Sequence, residues 1–395
     1  MRIGMILDKV FPPDPRVENE AIELIKSGHQ VYLFCLKYDD APDEEIINGI
    51  QVVRYTSNKL EYKLSALAYT IPVYTFLMQQ KIKKFIVDYK IEALHIHDIR
   101  IAQAVFNANT TYKLPTVLDL HDNFPEVMKF YPHLQKFPGK YIISPKKWKQ
   151  KEEEFIQKAT KVITVSQEFV HEVVERTQIK KEKVVLVPNT IRKSFYEDFQ
   201  VEQSIIKKYQ NSFVVLYLGD THLRRGLLTA IKALPELKKQ VPDIKLVIVG
   251  TNTTDAILKA EAKKLDVEQF VDFEGWQNVG LFPSYIEASE VCISPLYRNI
   301  QHDVAYANKL FQYMSLAKPV LVSNAIAQKR LIEKYNSGLV HIEKDVADFT
   351  DKIMQLYKSE SLRNELGANG KDFVQNHFTW DITAKKLIQL YNDLS

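Results

Sequence analysis

Cysteine is nearly absent from this chain of 395 residues: Cys35 and Cys292 are the only two, and each lies in an apolar, strand-like run. Two such thiols make no disulfide framework. Free cysteine behaves as a small buried apolar residue, so a reducing, cytoplasmic setting is expected. A long hydrophobic run is also missing. The longest uncharged stretch, Leu64 to Gln80, is interrupted by Pro72 and falls short of the ~20 apolar residues of a spanning helix. The N-terminus enters a strand-like run, Ile3 to Leu7, at once, which is too short for a secretory leader. No G-x-x-x-x-G-K-[ST] loop and no G-x-G-x-x-G fingerprint occurs, which excludes two common nucleotide cradles. No Asp-x-Asp pair occurs, so a divalent metal held by such a pair is disfavoured, and no Cys/His spacing points to zinc. His95 and His97 alternate in one strand ahead of Asp98 and read as a strand end beside a ligand cleft rather than as a metal site.

What is present is the composition of a globular protein, with 46% hydrophobic and 26% charged residues. The net charge of +4 is unevenly spread: residues 1–193 hold 29 Lys+Arg against 24 Asp+Glu, and the remainder 24 against 25. Lys136, Lys140, Lys146, Lys147, Lys149 and Lys151 cluster. Such a cluster is a solvated face or meets an anionic membrane surface. No aromatic-rich binding motif accompanies the charge, so nucleic acid is not an expected partner.

Short β-rich runs at Arg2–Leu7, Val31–Leu36, Ile50–Tyr55, Ala93–His97, Thr116–Leu120, Val162–Val165 and Val184–Val187 alternate with helical stretches. One of these, Arg16–Ser27, repeats its apolar residues with a helical period and stops at Gly28. The rhythm breaks in the polar segment 190–211. It resumes at Phe213–Leu218, Lys245–Val249, Val271–Phe273, Val291–Ser294, Pro319–Val322 and Gly338–His341. Continuous apolar strands between helices predict parallel sheets covered on both faces. The expected architecture is α/β, with two Rossmann-like, doubly wound domains, residues 1–193 and 194–379, facing across a cleft that holds the ligand. The end, 380–395, reads as an amphipathic helix bearing Ile382, Leu387, Leu390 and Tyr391 on one side.

In Leu216-Tyr217-Leu218-Gly219-Asp220-Thr221-His222-Leu223-Arg224-Arg225-Gly226, a strand ends at Gly219 and a helix begins near Gly226. Glycine allows close backbone approach to an anion, a helix N-terminus favours negative charge, and Arg224 and Arg225 supply cations able to grip a diphosphate. Arg16, at a helix start behind a loop stiffened by Pro12, Pro13 and Pro15, is a second candidate for an anionic donor or acceptor group.

Taken in order, these segments resemble glycosyltransferase family 4. The likeness continues in Phe11-Pro12-Pro13-Asp14-Pro15-Arg16-Val17, Gly28-His29-Gln30-Val31, Asp119-Leu120-His121-Asp122, Val162-Ile163-Thr164-Val165-Ser166, Lys245-Leu246-Val247-Ile248-Val249-Gly250 and Phe273-Glu274-Gly275-Trp276. Asn308-Lys309-Leu310-Phe311-Gln312-Tyr313-Met314 and Lys318-Pro319-Val320 complete it.

The resemblance implies a GT-B fold whose last helix crosses back onto the N-terminal domain. It implies retaining transfer of a sugar from a UDP- or GDP-type donor, with protein cations in place of a metal and no cofactor. Polysaccharide or cell-envelope assembly is the implied context. Arg225 and Lys309 would stabilise the leaving diphosphate, and His121, with Asp122 to orient it, would stand near the reacting sugar. Gly219, Arg224, Gly250, Trp276, Asn308 and Gln312 would line the donor site.

Two departures stand out. The family's pair of glutamates is replaced by Val304 and Gln312. An amide still accepts a hydrogen bond from a ribose hydroxyl, but valine cannot, and Asp303 is the nearest carboxylate to take the place of the first glutamate.

The resemblance leaves the acceptor open among a glycan, a lipid-linked acceptor and a small molecule. Tyr62, Tyr69, Tyr74, Phe76 and Phe85 mix with Lys59, Lys63, Lys81, Lys83 and Lys84, a composition suited to peripheral membrane contact or to a core helix with a basic end. Two rival readings are a sugar-nucleotide epimerase of the same architecture and a non-catalytic nucleotide-sugar binding subunit.

Overall fold

A computed structural model of the protein describes residues 1–131, 134, 136, 137 and 139–394. The chain falls into two compact units, Met1–Pro188 together with Thr383–Ser395, and Asn189–Ile382.

The first unit is built on eight strands: β1 (Arg2–Ile6), β2 (Gln30–Lys37), β3 (Glu44–Ile47), β4 (Ile50–Thr56), β5 (Ala93–His97), β6 (Thr116–Leu120), β7 (Lys161–Thr164) and β8 (Val184–Leu186). Their order is β3-β4-β2-β1-β5-β6-β7-β8, parallel throughout except that β3 joins β4 antiparallel. Every residue of β5 and β6 is buried, as expected of parallel strands covered on both faces. Side chains alternate along a strand, so His95 and His97 share one face of β5, and the register sets His97 beside Asp119 of β6. A polar stripe therefore runs through an otherwise apolar core.

The second unit has six strands: β9 (Phe213–Leu218), β10 (Ile244–Val249), β11 (Val271–Gly275), β12 (Val291–Ser294), β13 (Val320–Ser323) and β14 (Gly338–His341). They are ordered β11-β10-β9-β12-β13-β14 and all parallel. Segment 190–211 carries no strand but does hold two short helices, Ser194–Glu197 and Gln203–Tyr209.

Chain order reverses at β1 in the first sheet, between β2 and β5, and at β9 in the second, between β10 and β12. Loops leave to opposite sides there and open a crevice at the carboxyl ends of the strands.

The helix expected over 380–395 is in two pieces, Trp380–Thr383 and Lys385–Asn392, and Ser395 lies outside the described residues. The second piece packs on helix Pro15–Lys26 and on β8. It buries Leu387, Leu390 and Tyr391, and the Tyr391 hydroxyl lies 2.9 Å from His95 Nδ1. Cys35 and Cys292 are both buried free thiols, pushed up to about 12 by burial.

Candidate active site

At the reversal point of the second unit three glycines set the geometry. Gly219 and Gly250, directly after β9 and β10, have φ of 109° and 139°. A Cβ on Gly250 would stand 2.0 Å from the Gly219 carbonyl oxygen, so the two turns pack backbone on backbone and admit no side chain. Gly226, with φ of 80°, opens helix Leu227–Gln240, and a Cβ there would lie 1.8 Å from the Pro295 oxygen in the loop after β12. That loop is tied across by Tyr297 N–H donating to the Arg224 carbonyl at 3.0 Å. Helices Leu227–Gln240 and Asn308–Ser315 both begin without a side-chain cap. Uncapped helix N-termini present amide groups and a partial positive charge to any anion between them.

Lys309 is brought to this point by its own helix. One turn on, the Tyr313 hydroxyl accepts from Leu218 N–H at 2.7 Å and anchors the helix to the end of β9. The Lys309 ammonium then lies 3.5 Å from the centre of the Tyr217 ring and 3.3 Å from where a Cβ on Gly219 would be. Among the described residues it has no carboxylate partner and no hydrogen-bond acceptor. Burial, and next the nearby Arg225, push its pKa well below the usual lysine range against the weaker pull of Asp220. Arg225 donates to Asp220 Oδ2 at 3.1 Å, and Asp220 is held in turn by Asn252 Nδ2 at 2.7 Å and His222 N–H at 3.2 Å. Arg225, Lys309, Gly219, Gly250 and the backbone of Arg224 are thus brought together.

The other expected donor residues divide. Asn308 and Gln312 are one turn apart on the Lys309 helix, and the half-buried Gln312 amide has no partner among the described residues. Trp276 is 72% exposed. It follows Gly275, whose carbonyl accepts from Gly250 N–H at 2.7 Å, and Glu274, whose carboxylate is held inward by Lys208, Tyr209 and Tyr285.

Asp303 is a correction. Its Oδ1 accepts from Arg298 Nε at 3.1 Å and from Ile326 N–H at 3.1 Å, and its Oδ2 from Arg298 Nη2 at 3.0 Å. Both oxygens are spent on a loop arginine and a helix start, while Val304 is buried. Neither residue offers a carboxylate to a sugar.

The sequence reading missed His302. Burial first, then Arg225 and Arg224, push its pKa down to about 4, the Tyr297 carbonyl opposing. The ring is neutral, Nδ1–H donates to that carbonyl at 2.7 Å, and the buried Nε2 is left as an acceptor without a partner among the described residues. No spacing rule marks such a histidine; its neighbours come from the loop after β9.

In the first unit His121, at the end of β6, meets Asp119 Oδ2 at 2.9 Å, His97 Nδ1 at 3.1 Å and Asp98 Oδ2 at 3.8 Å. Burial lowers its pKa, but Asp98 and Asp119 outweigh burial and raise it to about 9. His121 is therefore an imidazolium at neutral pH. Asp98 and Asp119 fix it, whereas the expected orienting residue, Asp122, is exposed.

Arg16 is a second correction. It is not presented to a ligand; it is buried, with Nε and Nη2 bonding both oxygens of Asp119 at 2.9 and 2.8 Å. Nη2 also pairs with Glu20 at 2.9 Å, and Nη1 donates to the Val187 carbonyl at 3.2 Å. Glu20, His95, His97 and Asp119 place ligand atoms within 4.8 Å of one another; the cation among them is this guanidinium, held by the Asp119 carboxylate, while burial raises the Glu20 carboxyl to about 8 against the pull of Arg16.

Comparison with known proteins accords with this geometry. Residues 16–195 match the model of "Glycosyltransferase Family 4", and residues 198–373 that of "Glycosyl transferases group 1". The capsular polysaccharide biosynthesis glycosyltransferase CapM of Staphylococcus aureus is 23% identical over 59% of this chain, and the match spans 62% of that protein's length. The phosphatidyl-myo-inositol mannosyltransferase of Mycolicibacterium smegmatis is 20% identical over 100% of this chain and 94% of its own. Among solved structures, sucrose-phosphate synthase from Thermosynechococcus elongatus superposes with a TM-score of 0.79 at 19% identity, covering 100% of this chain and 98% of that one. Anabaena Alr3699/HepE in complex with UDP gives 0.74 at 14%, with full coverage of both. The chain belongs to the GT-B glycosyltransferases of the family 4 type.

Proposed function

We propose that the protein transfers a sugar, with retention, from a nucleoside diphosphate sugar, of the uridine or guanosine type, to a glycan or lipid-linked acceptor in polysaccharide or cell-envelope assembly. The observation that carries this reading is Lys309: a half-buried ammonium over the Tyr217 ring, with no anion of its own, beside Arg225 and two uncapped helix N-termini. A cation held at such cost without a partner is a site prepared for an anion that arrives with the substrate.

As the glycosidic bond breaks, negative charge grows on the departing diphosphate. Arg225 and Lys309 stabilise it where it forms, without a metal. Gly219 and Gly250 keep the approach clear. The neutral His302 offers Nε2 as an acceptor for a hydroxyl, a function the absent glutamate cannot supply. His121 stands as a fixed positive group for the reacting sugar. The uridine type is favoured by the solved Anabaena relative, which binds UDP.

A second reading, a non-catalytic nucleotide-sugar binder, is favoured by the burial of Val304 and the engagement of Asp303. Thermal unfolding with UDP, GDP, dTDP and their sugar conjugates tests the site. A ligand at ~100 times its dissociation constant adds ~2.7 kcal/mol of stability. Stabilisation by one base, followed by transfer to an acceptor, supports the enzyme. Stabilisation without turnover supports the binder, and no stabilisation by any nucleotide overturns both.

A further inference from the structure

The C-terminal helix Lys385–Asn392 belongs to the first unit and brings a polar atom into that unit's core. Tyr391 is fully buried, and its hydroxyl lies 2.9 Å from His95 Nδ1, a residue 296 positions away in sequence. Burial raises the Tyr391 pKa well above the usual tyrosine range, so the proton stays on its oxygen. His95 is fully buried as well. Burial lowers its pKa against the pull of Asp119, and the ring is neutral.

A neutral imidazole carries one proton, and its surroundings decide on which nitrogen. His95 Nε2 lies 3.4 Å from Glu20 Oε2 and 3.7 Å from Asp119 Oδ2. These are contacts of charge rather than hydrogen bonds at such lengths. Asp119 is ionised: burial would raise its pKa, but Arg16 and then His121 outweigh burial and draw it well down. A lone pair on Nε2 would be repelled by that carboxylate, whereas an N–H is attracted to it. The proton therefore sits on Nε2, and Nδ1 is left to accept from the Tyr391 O–H.

The rings carry this constraint onward. Tyr391 and His95 are stacked with centres 6.1 Å apart, and His95 and His97 with centres 4.5 Å apart. His97 Nδ1 then lies 3.1 Å from His121 Nε2. Burial, and next His95, push the pKa of His97 down to about 3, so its neutral ring accepts from the His121 imidazolium. Its own buried Nε2 has no hydrogen-bond partner among the described residues. The face of His95 and the contacts with His121 and Asp119 therefore place this ring. Around the row stand Arg16 and Glu20 from helix Pro15–Lys26, Asp119 from β6, Asp98 after β5, and His29 against Tyr391.

We propose that Tyr391 is a positioning residue for sugar transfer: its hydroxyl fixes the tautomer of His95, and His95, through Asp119 and His97, holds His121 at the reacting sugar. The effect on turnover rests on the sugar-transfer reading above; the arrangement of protons does not.

The test uses the intact protein. Tyr391→Phe keeps the ring and its packing and removes only the O–H. His95→Phe keeps a ring in the stack and removes both nitrogens. With the UDP-, GDP- or dTDP-sugar that supports transfer, each variant is expected to lower kcat by about tenfold at unchanged KM for that donor. The double variant should lose no more than either alone, because both act through the same contact. Stabilisation by UDP, GDP or dTDP should match the wild type in all three variants, which shows that they fold. Nitrogen NMR shifts of the histidine rings report the protons without any turnover. In the wild type at neutral pH, His95 should show the Nε2–H tautomer and His121 two N–H groups. In Tyr391→Phe, His95 should gain the Nδ1–H tautomer and the His121 signals should shift. Nδ1–H at His95 in the wild type, unchanged His121 signals in Tyr391→Phe, or losses of kcat that multiply in the double variant would each overturn the proposal. No turnover in the wild type, with the ring signals as expected, would overturn the sugar-transfer reading and leave the proton arrangement supported.

Discussion

Arg16 in the first unit and Lys309 in the second are both cations drawn in at the end of a parallel sheet, and the two units treat them oppositely. Arg16 has both oxygens of the Asp119 carboxylate, the carboxyl of Glu20 and a backbone carbonyl. Lys309 has an aromatic face and the repulsion of Arg225. A buried charge whose donors are all satisfied belongs to the scaffold, whereas one held without a counter-ion costs stability and points to a ligand. The same contrast separates the histidines: His121 is held positive by two carboxylates, and His302 is held neutral beside two arginines.

The largest expected effect breaks the first half of this comparison. Arg16→Met leaves Asp119 and Glu20 buried without their cation and should cost about 3–5 kcal/mol in urea unfolding. Whatever fraction remains folded should bind nucleotide as before.

The converse change is Lys309→Ala. Turnover should fall by about 10²–10³, as for loss of a preorganised charge-stabilising group. The unfolding midpoint should stay or rise, because an unpaired cation is removed. A loss of stability like that of Arg16→Met would erase the distinction between the two residues.

A third effect is in pH. The pKa of His121 is raised above its ordinary 6.5 to about 9. Its contribution to stability is therefore fully present below about pH 6.5 and is lost as pH rises through 9. The carboxyl of Asp119 is shifted the other way, well below its usual range. Burial opposes that shift, and Arg16 and then His121 drive it. Its contribution holds above the ordinary carboxylate range and is lost as pH falls. Unfolding measured between pH 6 and 10 should thus show a decline on the alkaline side that His121→Asn flattens, on the order of 2–3 kcal/mol at most.

The smallest effect sharpens the second half. Asp303→Asn should lower stability by about 1 kcal/mol through the weakened helix start and leave turnover nearly unchanged, since both oxygens already serve Arg298 and Ile326. A large loss of turnover would return Asp303 to the sugar.

Much of this was legible in the chain. The limits of strands Ala93–His97, Thr116–Leu120 and Phe213–Leu218 coincide with those observed, although only the last is an unbroken apolar run. Gly226 and Gly250 announced turns because only glycine tolerates the backbone contacts made there, and Gly219 because its φ of 109° is one that other residues rarely adopt. What escaped was non-local. Arg16 meets Asp119 across 103 residues, and nothing near Arg16 in sequence shows that partner. His302 gains its meaning from a loop some eighty positions earlier. The edge strand β3 is exposed at Glu44, Glu45 and Ile46, so no buried alternation marks it. Asp303 was misread because a carboxylate one residue from an expected site is indistinguishable, in sequence, from one committed to an arginine five residues back.

The account turns on the unpaired Lys309, and proton linkage tests it most directly. UDP, GDP and dTDP are titrated calorimetrically into the wild-type protein and Lys309→Met, in buffers of different ionisation enthalpy and across a pH series. If Lys309 is a lowered-pKa ammonium that receives the diphosphate, binding restores its ordinary affinity for protons. The wild type should then take up a proton on binding over a window of pH that is absent in Lys309→Met. The variant should also bind the diphosphate more weakly but the free nucleoside equally well. Binding with no proton uptake, and with equal affinity in the variant, would contradict the account.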